Sequence, residues 1–315
     1  MQKLCCGTEE KEIKMKLAVL MSTYNGERFL QAQIESILNQ HCDCQVDLWV
    51  RDDGSTDSTC SILQTYAERG VLRWYKGENL KPAKSFLDLI HHCPGYDYYA
   101  FADQDDIWYP DKLQNGINRI CDLQIPAVSF ANAHLVDGDL NSLGRNVHRN
   151  PPHVDFYSVT CSGGIMGCTM VFNNQLARLI QGAPMPRNLI MHDYYIAIVC
   201  TLHDGVILYD YEPCLDYRQH GGNVEGSSSK KWDALKKRRT LLLTKKEQTL
   251  DLMAASICEC YSEVPSPEKL AWLQQVSVYR KSLFRAVKLA LDKKPTYNSR
   301  NMELTLRLCI LIRNR

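Results

Sequence analysis

Four short stretches of this chain concentrate side chains able to do chemistry. Asp103-Gln104-Asp105, with Asp106 adjoining, follows the apolar run YYAFA. A D-x-D at a strand end puts carboxylates on an exposed loop, where a hard cation such as Mg²⁺ or Mn²⁺ binds through one or two carboxylates plus substrate phosphates. Such a cation neutralises charge building on a departing diphosphate. The same residues also suit a solvated acidic turn, or the start of the helix that Pro110-Asp111 opens. Asp52-Asp53-Gly54-Ser55 follows VDLWVR. A carboxylate there can accept from a pyrimidine N–H, or cap a helix. His192-Asp193 precedes the apolar YYIAIVCTL. Asp193 suits a general base taking a proton from an attacking hydroxyl, and it equally suits an N-cap. His220-Gly221-Gly222-Asn223 follows a segment holding Arg218. Its glycines allow a tight loop close to phosphates, with His220 as a third metal ligand or a phosphate contact; an ordinary turn is the plainer reading. Tyr24 either stacks on a base or packs.

These clusters need elements to hold them. KLAVLMS (16–22) reads as a short buried strand, followed by the turn Tyr24-Asn25-Gly26. Phe29, Leu30, Ile34, Ile37 and Leu38 share one helical face between Glu27 and Gln40. A strand over 46–51 precedes a helix capped by Ser55 or Thr56. Then come a strand at 71–75, a helix at about 82–92 and a strand at 97–102. Strands alternating with amphipathic helices imply a mostly parallel sheet with right-handed crossovers. Ligands in such sheets sit beyond the carboxyl ends of the strands. Residues 22–25, 52–53 and 103–106 all fall there.

Residues 126–225 are less regular. Strand-like pieces are 127–131, 168–172, 205–209 and 214–218. A helix holding Leu176, Leu179 and Ile180 follows Asn173-Asn174, and another spans Asp193 to His203. Residues 138–160 read as a long polar loop. After Gly226-Ser-Ser-Ser229 the composition changes: residues 230–246 hold eight Lys/Arg, and helices are expected over 231–261, 266–292 and 299–313. The expected organisation is an extension over 1–14, an α/β catalytic domain over 15–229 and a helical region over 230–315. Met15 is a second candidate start.

Bulk composition narrows the function classes. Lys and Arg number 37 against 36 Asp and Glu, which gives no general argument for nucleic-acid binding. The 14 cysteines include no C-x-x-C pair, and most lie in apolar runs. They read as free thiols of a reducing cytoplasm. No signal peptide and no span of roughly 18–20 apolar residues is visible.

Taken together, MSTYNGERFL, VRDDGSTDST, FADQDDIWYPDKL, MHDYYIA and YRQHGGNVEG resemble the family 2 glycosyltransferases in order and separation. The resemblance covers about 15–226 and is nearest to bacterial rhamnosyltransferases of capsule and cell-wall polysaccharide synthesis. It implies the GT-A fold, a Rossmann-like sheet flanked by helices. It implies an inverting transfer from a nucleotide-diphosphate sugar, dTDP-rhamnose or a UDP-sugar, to a glycan or lipid-linked glycan acceptor. By resemblance Ser22, Tyr24 and Asp53 contact base and ribose, and Asp103 and Asp105 form the D-x-D, with Asp105 the direct ligand of Mn²⁺ or Mg²⁺. Asp193 is the base, and Arg218 and His220 lie near the diphosphate or metal. HDYY stands where a tryptophan pair is common, which puts acceptor or donor contacts in question.

Two other classes compete. A sugar nucleotidyltransferase uses similar acids, but carries a Gly-rich basic loop where this chain has STYNGERF. An inactive nucleotide-sugar-binding module would lose the D-x-D or the base. The basic, Leu-rich tail fits either peripheral contact with the inner face of the plasma membrane, or packing and homodimerisation.

Overall fold

A computed structural model describes residues 15–220 and 247–314. The expected extension over 1–14, the basic run at 230–246, the boundary at 229/230, and Gly221-Gly222-Asn223 lie outside the described residues. Strand β1 (Lys16–Thr23) is apolar without a break from Leu17 to Met21, and all five residues are fully buried. Such a run belongs to a strand covered on both faces. Leu17, Val19 and Met21 enter one core, and Ala18 and Leu20 the other, as a period of two requires.

Around β1 the expected alternation is present: α1 (Leu30–Leu38), β2 (Gln45–Asp52), α2 (Thr59–Glu68), β3 (Arg73–Lys76), α3 (Lys81–His92) and β4 (Tyr98–Ala102). Strand β1 pairs in parallel with β2 and β4, and β2 pairs in parallel with β3. The second half adds β5 (Ile107–Trp108), α4 (Lys112–Asn118), β6 (Ala127–Val136), β7 (Ser142–Asn146), α5 (Phe156–Ser162), β8 (Val171–Asn173), α6 (Asn174–Gln181), α7 (His192–Leu202) and β9 (Val206–Arg218). The sheet order is β3-β2-β1-β4-β8-β6-β9-β5, with β7 on β6. Strand β8 runs antiparallel to both neighbours, whereas β6 and β9 are parallel.

Only Asp103–Asp106 separates β4 from β5, yet β5 lies four strand positions away. Four spacings in a flat sheet measure about 19 Å, while five residue steps reach at most roughly 17–18 Å. The sheet must therefore curl, and the curl brings the acidic loop against the end of β9.

The tail forms α8 (Leu250–Cys260), α9 (Pro267–Val276), α10 (Leu283–Ala290) and α11 (Arg300–Leu311). Met253, Ile257, Leu273, Val276 and Leu289 share one apolar core with α3 and α7. Tyr195 and Tyr261 join hydroxyls at 3.1 Å, and Lys269 reaches Asp204 at 2.6 Å. The tail is thus packed on the sheet's helices. Among the described residues no helix is long and apolar enough to cross a membrane.

Several expected elements differ. Residues 266–292 are not one helix: a 3-10 turn at Tyr279–Lys281 divides them, and Ser282 then caps α10 through Arg285 N–H. The polar stretch 138–160 contains β7 and the start of α5, which Asp155 caps. The pieces 205–209 and 214–218 are one strand, β9, bulged where Pro213 removes a donor. Residues 168–172 begin as a 3-10 turn, Gly167–Thr169, before β8. Neither Ser55 nor Thr56 caps α2; Ser58 takes that position, and the Ser55 hydroxyl donates to Asp52.

Candidate active site

The carboxyl ends of β1, β2 and β4 open onto a cleft of about 840 Å³. Ser22, Tyr24, Asp53, Asp103, Asp105 and Asp193 all line it. Arg218 and His220 are not among the lining residues.

The β1 turn comes first. Asn25 adopts φ 47°, a left-handed conformation that Asn tolerates. Gln104, the middle residue of the D-x-D, accepts from Tyr24 N–H at 2.9 Å and donates to Tyr24 C=O at 3.1 Å. This clamp explains Gly26: a Cβ there would lie 2.2 Å from Gln104 Oε1. Ser22 joins its hydroxyl to Ser85 on α3 at 2.6 Å. The Tyr24 ring is half-exposed at the cleft.

The loop after β2 is closed around its charges. Asp52 accepts from the N–H groups of Gly54 and Ser55 and from the hydroxyls of Ser55 and Thr23. Asp53 accepts from the N–H groups of Leu80 and Lys81, each at 2.9 Å, and pairs with Arg51. Arg51 also holds Asp88 at 2.9 Å. Asp53 is thereby pinned at the cleft floor.

The loop after β4 is different. Asp106 is 1% exposed and accepts a long bond, 3.3 Å, from Arg218 N–H, while its Oδ2 is buried without a geometrically sound hydrogen bond among the described residues. Burial, with Asp105 and Asp103 nearby, pushes its carboxyl well above the usual range. Burial, then Asp105 and Asp193, push Asp103 up to about 7. A third group, the Cys168 thiol, lies close enough that Asp103, Asp106 and Cys168 offer ligand atoms within 4.8 Å of one another. Burial and the two acids push that thiol well up, so it stays protonated. Oxygen donors with uncompensated charge suit a hard cation, so the residues fit Mn²⁺ or Mg²⁺.

Arg218 and His220 brace this loop from β9. The Arg218 guanidinium donates to the carbonyls of Asp105 and Gly138, both at 2.8 Å, and lies over the Phe29 ring. His220 Nε2 is 2.6 Å from Asp105 Oδ2. Arg218 and His220 thus stand against the acidic loop, with two guanidinium nitrogens of Arg218 on backbone carbonyls.

Asp193 stands in the first turn of α7, and Met191 rather than Asp193 is the N-cap. A carboxylate there is favoured by the helix dipole. Its Oδ2 accepts from Gly167 N–H at 3.1 Å. A Cβ on Gly167 would meet His192 Nε2 at 2.4 Å, so this approach needs glycine. His192 stacks on Phe86 at 4.0 Å, and neither ring nitrogen has a hydrogen-bond partner among the described residues. Burial pushes its pKa down to about 3.

The sequence reading missed three walls. One is Ser162-Gly163-Gly164-Ile165-Met166-Gly167, where Gly163 and Gly164 take φ 64° and 89°. That glycine cluster was the available signal. The others are Asn79 with Lys81, and Leu306, Cys309 and Asn314 at the end of the tail.

The chain is similar to several known proteins. Residues 18–160 match the family model described as glycosyl transferase family 2. The dTDP-rhamnosyl transferase RfbG of Shigella flexneri is 28% identical over 229 residues, covering 66% of this chain and 74% of that protein. TuaG of Bacillus subtilis, named for teichuronic acid biosynthesis, is 28% identical over 249 residues, covering 78% and 93%. Among solved structures, S. aureus TarS superposes with a TM-score of 0.54 at 17% identity, covering 89% of this chain and 76% of that one.

Proposed function

We propose that this glycosyltransferase, whose residues 18–160 match the glycosyl transferase family 2 model, transfers a sugar, rhamnose in the favoured case, from a nucleotide-diphosphate donor to an acceptor hydroxyl with inversion. The observation that carries the mechanism is the position of Asp193. It is a single carboxylate on the cleft wall, apart from the acidic loop yet close enough to raise Asp103. One carboxylate on the sugar side suits a single in-line displacement, whereas glycoside hydrolysis places two about the bond.

Asp193, held by Gly167 N–H, takes the proton of the acceptor hydroxyl as that oxygen attacks the anomeric carbon. Tyr24 and Asp53 hold the base at the floor, and Ser22 the ribose. Asp103, Asp105 and Asp106 would hold the cation, with His220 orienting Asp105. When bound there, a cation would supply charge neutralisation for the leaving diphosphate. Rhamnose rests on the likeness to RfbG; a UDP-hexose is the alternative donor. The acceptor in this reading is a growing surface glycan, free or lipid-linked.

The test is release of nucleotide diphosphate from dTDP-rhamnose and UDP-sugars, with acceptor, with and without Mn²⁺. Release dependent on both supports the reading. Pyrophosphate as the product would instead mark a nucleotidyltransferase, and donor binding without turnover an inactive module.

A further inference from the structure

Helices α10 and α11 each carry two apolar faces, and only one is used by the fold. On α10, Ala286, Leu289 and Ala290 are buried, while Leu283, Phe284 and Leu291 are exposed, Phe284 at 79%. At 100° per residue Leu283, Val287, Leu291 and Phe284 fall within about a third of the helix circumference, and Lys281, Lys288 and Arg285 follow beside them. On α11, Leu306, Cys309 and Ile310 are buried, and Leu304, Leu308 and Ile312, spaced four apart, form an exposed strip. These are six of the fourteen large apolar side chains exposed among the described residues, concentrated on two packed neighbouring helices.

Charge selects the occupant. Between 281 and 314 the chain has eight Lys/Arg and two Asp/Glu. A second copy of the chain would bring the same positive surface to the same face, and repulsion would oppose a symmetric pairing. A soluble face would not carry leucine and phenylalanine in a row. An apolar strip bordered by cations matches an anionic bilayer, with side chains entering the acyl boundary and Lys/Arg at the headgroups.

We propose that the exposed faces of α10 and α11 dock this glycosyltransferase on anionic lipid, through Leu283, Phe284, Leu304 and Leu308. This narrows the membrane contact expected of the whole tail to named side chains. It does not depend on the donor or on sugar transfer. It also connects to the cleft, because α11 lines the cleft with Leu306 and Cys309 while offering its other side to lipid. A lipid-linked acceptor would then meet the cleft at the bilayer surface.

The experiment is co-sedimentation of the full chain with phosphatidylcholine vesicles, with and without a phosphatidylglycerol fraction, at low and high salt. Binding is expected only with phosphatidylglycerol, and it weakens with salt. Leu283→Ser/Phe284→Ser/Leu304→Ser/Leu308→Ser should lower partitioning by about tenfold or more, with an unchanged melting curve and unchanged turnover on a soluble acceptor. Lys281→Glu/Arg285→Glu/Lys288→Glu, which leaves the apolar strip whole, should also lose the anionic preference. Absence of binding to either vesicle, or equal binding by the serine variant, overturns the proposal. So does a vesicle-free dimer by light scattering that the serine variant dissociates.

Discussion

Two acidic loops share one edge of the sheet, and they are built on opposite principles. At Asp52-Asp53 every charge is met: Arg51, two backbone N–H groups on α3 and a ring of hydroxyls close around the pair. At Asp103–Asp106 a buried carboxylate oxygen is left without a hydrogen-bond partner among the described residues, and carboxyl pKa values are driven up by burial and by mutual repulsion. Buried charges are normally paired. The first loop therefore meets its charge from within the fold while Asp53 still lines the cleft, and the second keeps charge in reserve for a ligand. Residue type alone does not separate the two; the hydrogen-bond donors that reach the carboxylate oxygens from neighbouring elements do.

The sharpest test concerns the carboxylate that faces the open loop. Asp193→Asn should cut turnover by about 10²–10⁴-fold, leaving donor affinity and melting temperature near those of the parent. Near-normal turnover at saturating acceptor would remove Asp193 from the mechanism. Next in size is the closed loop. Arg51→Ala leaves Asp53 and Asp88 without their cation, and should cost about 3–5 kcal/mol in denaturant unfolding. A change below about 1 kcal/mol would mean the pair is not structural.

Asp105→Ala should abolish the Mn²⁺ dependence of nucleotide-diphosphate binding by calorimetry, with little loss of stability, since its main partner is His220. Unchanged affinity would make the open loop a mere acidic turn. The smallest effect concerns His192 in the wall between the loops. An unfolded histidine titrates near 6.5, whereas burial holds His192 to about 3. The unfolded chain thus binds more protons in this window, so stability is fully present above about pH 6.5 and is lost as pH falls toward 3. From about pH 6 to pH 5 the parent should lose about 1 kcal/mol more than His192→Phe does. Parallel profiles for the two would contradict a neutral buried imidazole.

The first half of the fold was legible because β1 to β4 and their helices are written in two clean periods. Leu17–Met21 is buried on both faces, and Phe86, Leu89 and Ile90 repeat along α3. The second half was less legible because its strands owe their existence to partners. Val171–Asn173 is three residues long and is a strand only because β4 and β6 flank it. At the site, strand ends showed where carboxylates emerge, but not which way a side chain turns. Arg218 ends a strand beside the acidic loop, yet its guanidinium goes to the carbonyls of Asp105 and Gly138. The wall built by α11 had no local signal, since Leu306 and Cys309 meet Tyr24 and Asp193 at one cleft only through the tertiary fold.

The four-residue bridge between β4 and β5 also sets an order of events during synthesis. One end of the bridge is held by β1, made early. The other is held by β9, through Ile107 opposite Asp216 and Trp108 opposite Leu215, and by Arg218 N–H on Asp106, 112 positions downstream. A nascent chain can lay down β1, β2 and β4 and close the Asp52-Asp53 loop as soon as α3 emerges. The acidic loop has no such option. It stays without its brace until the ribosome has delivered residue 218, so one side of the cleft can be finished long before the other.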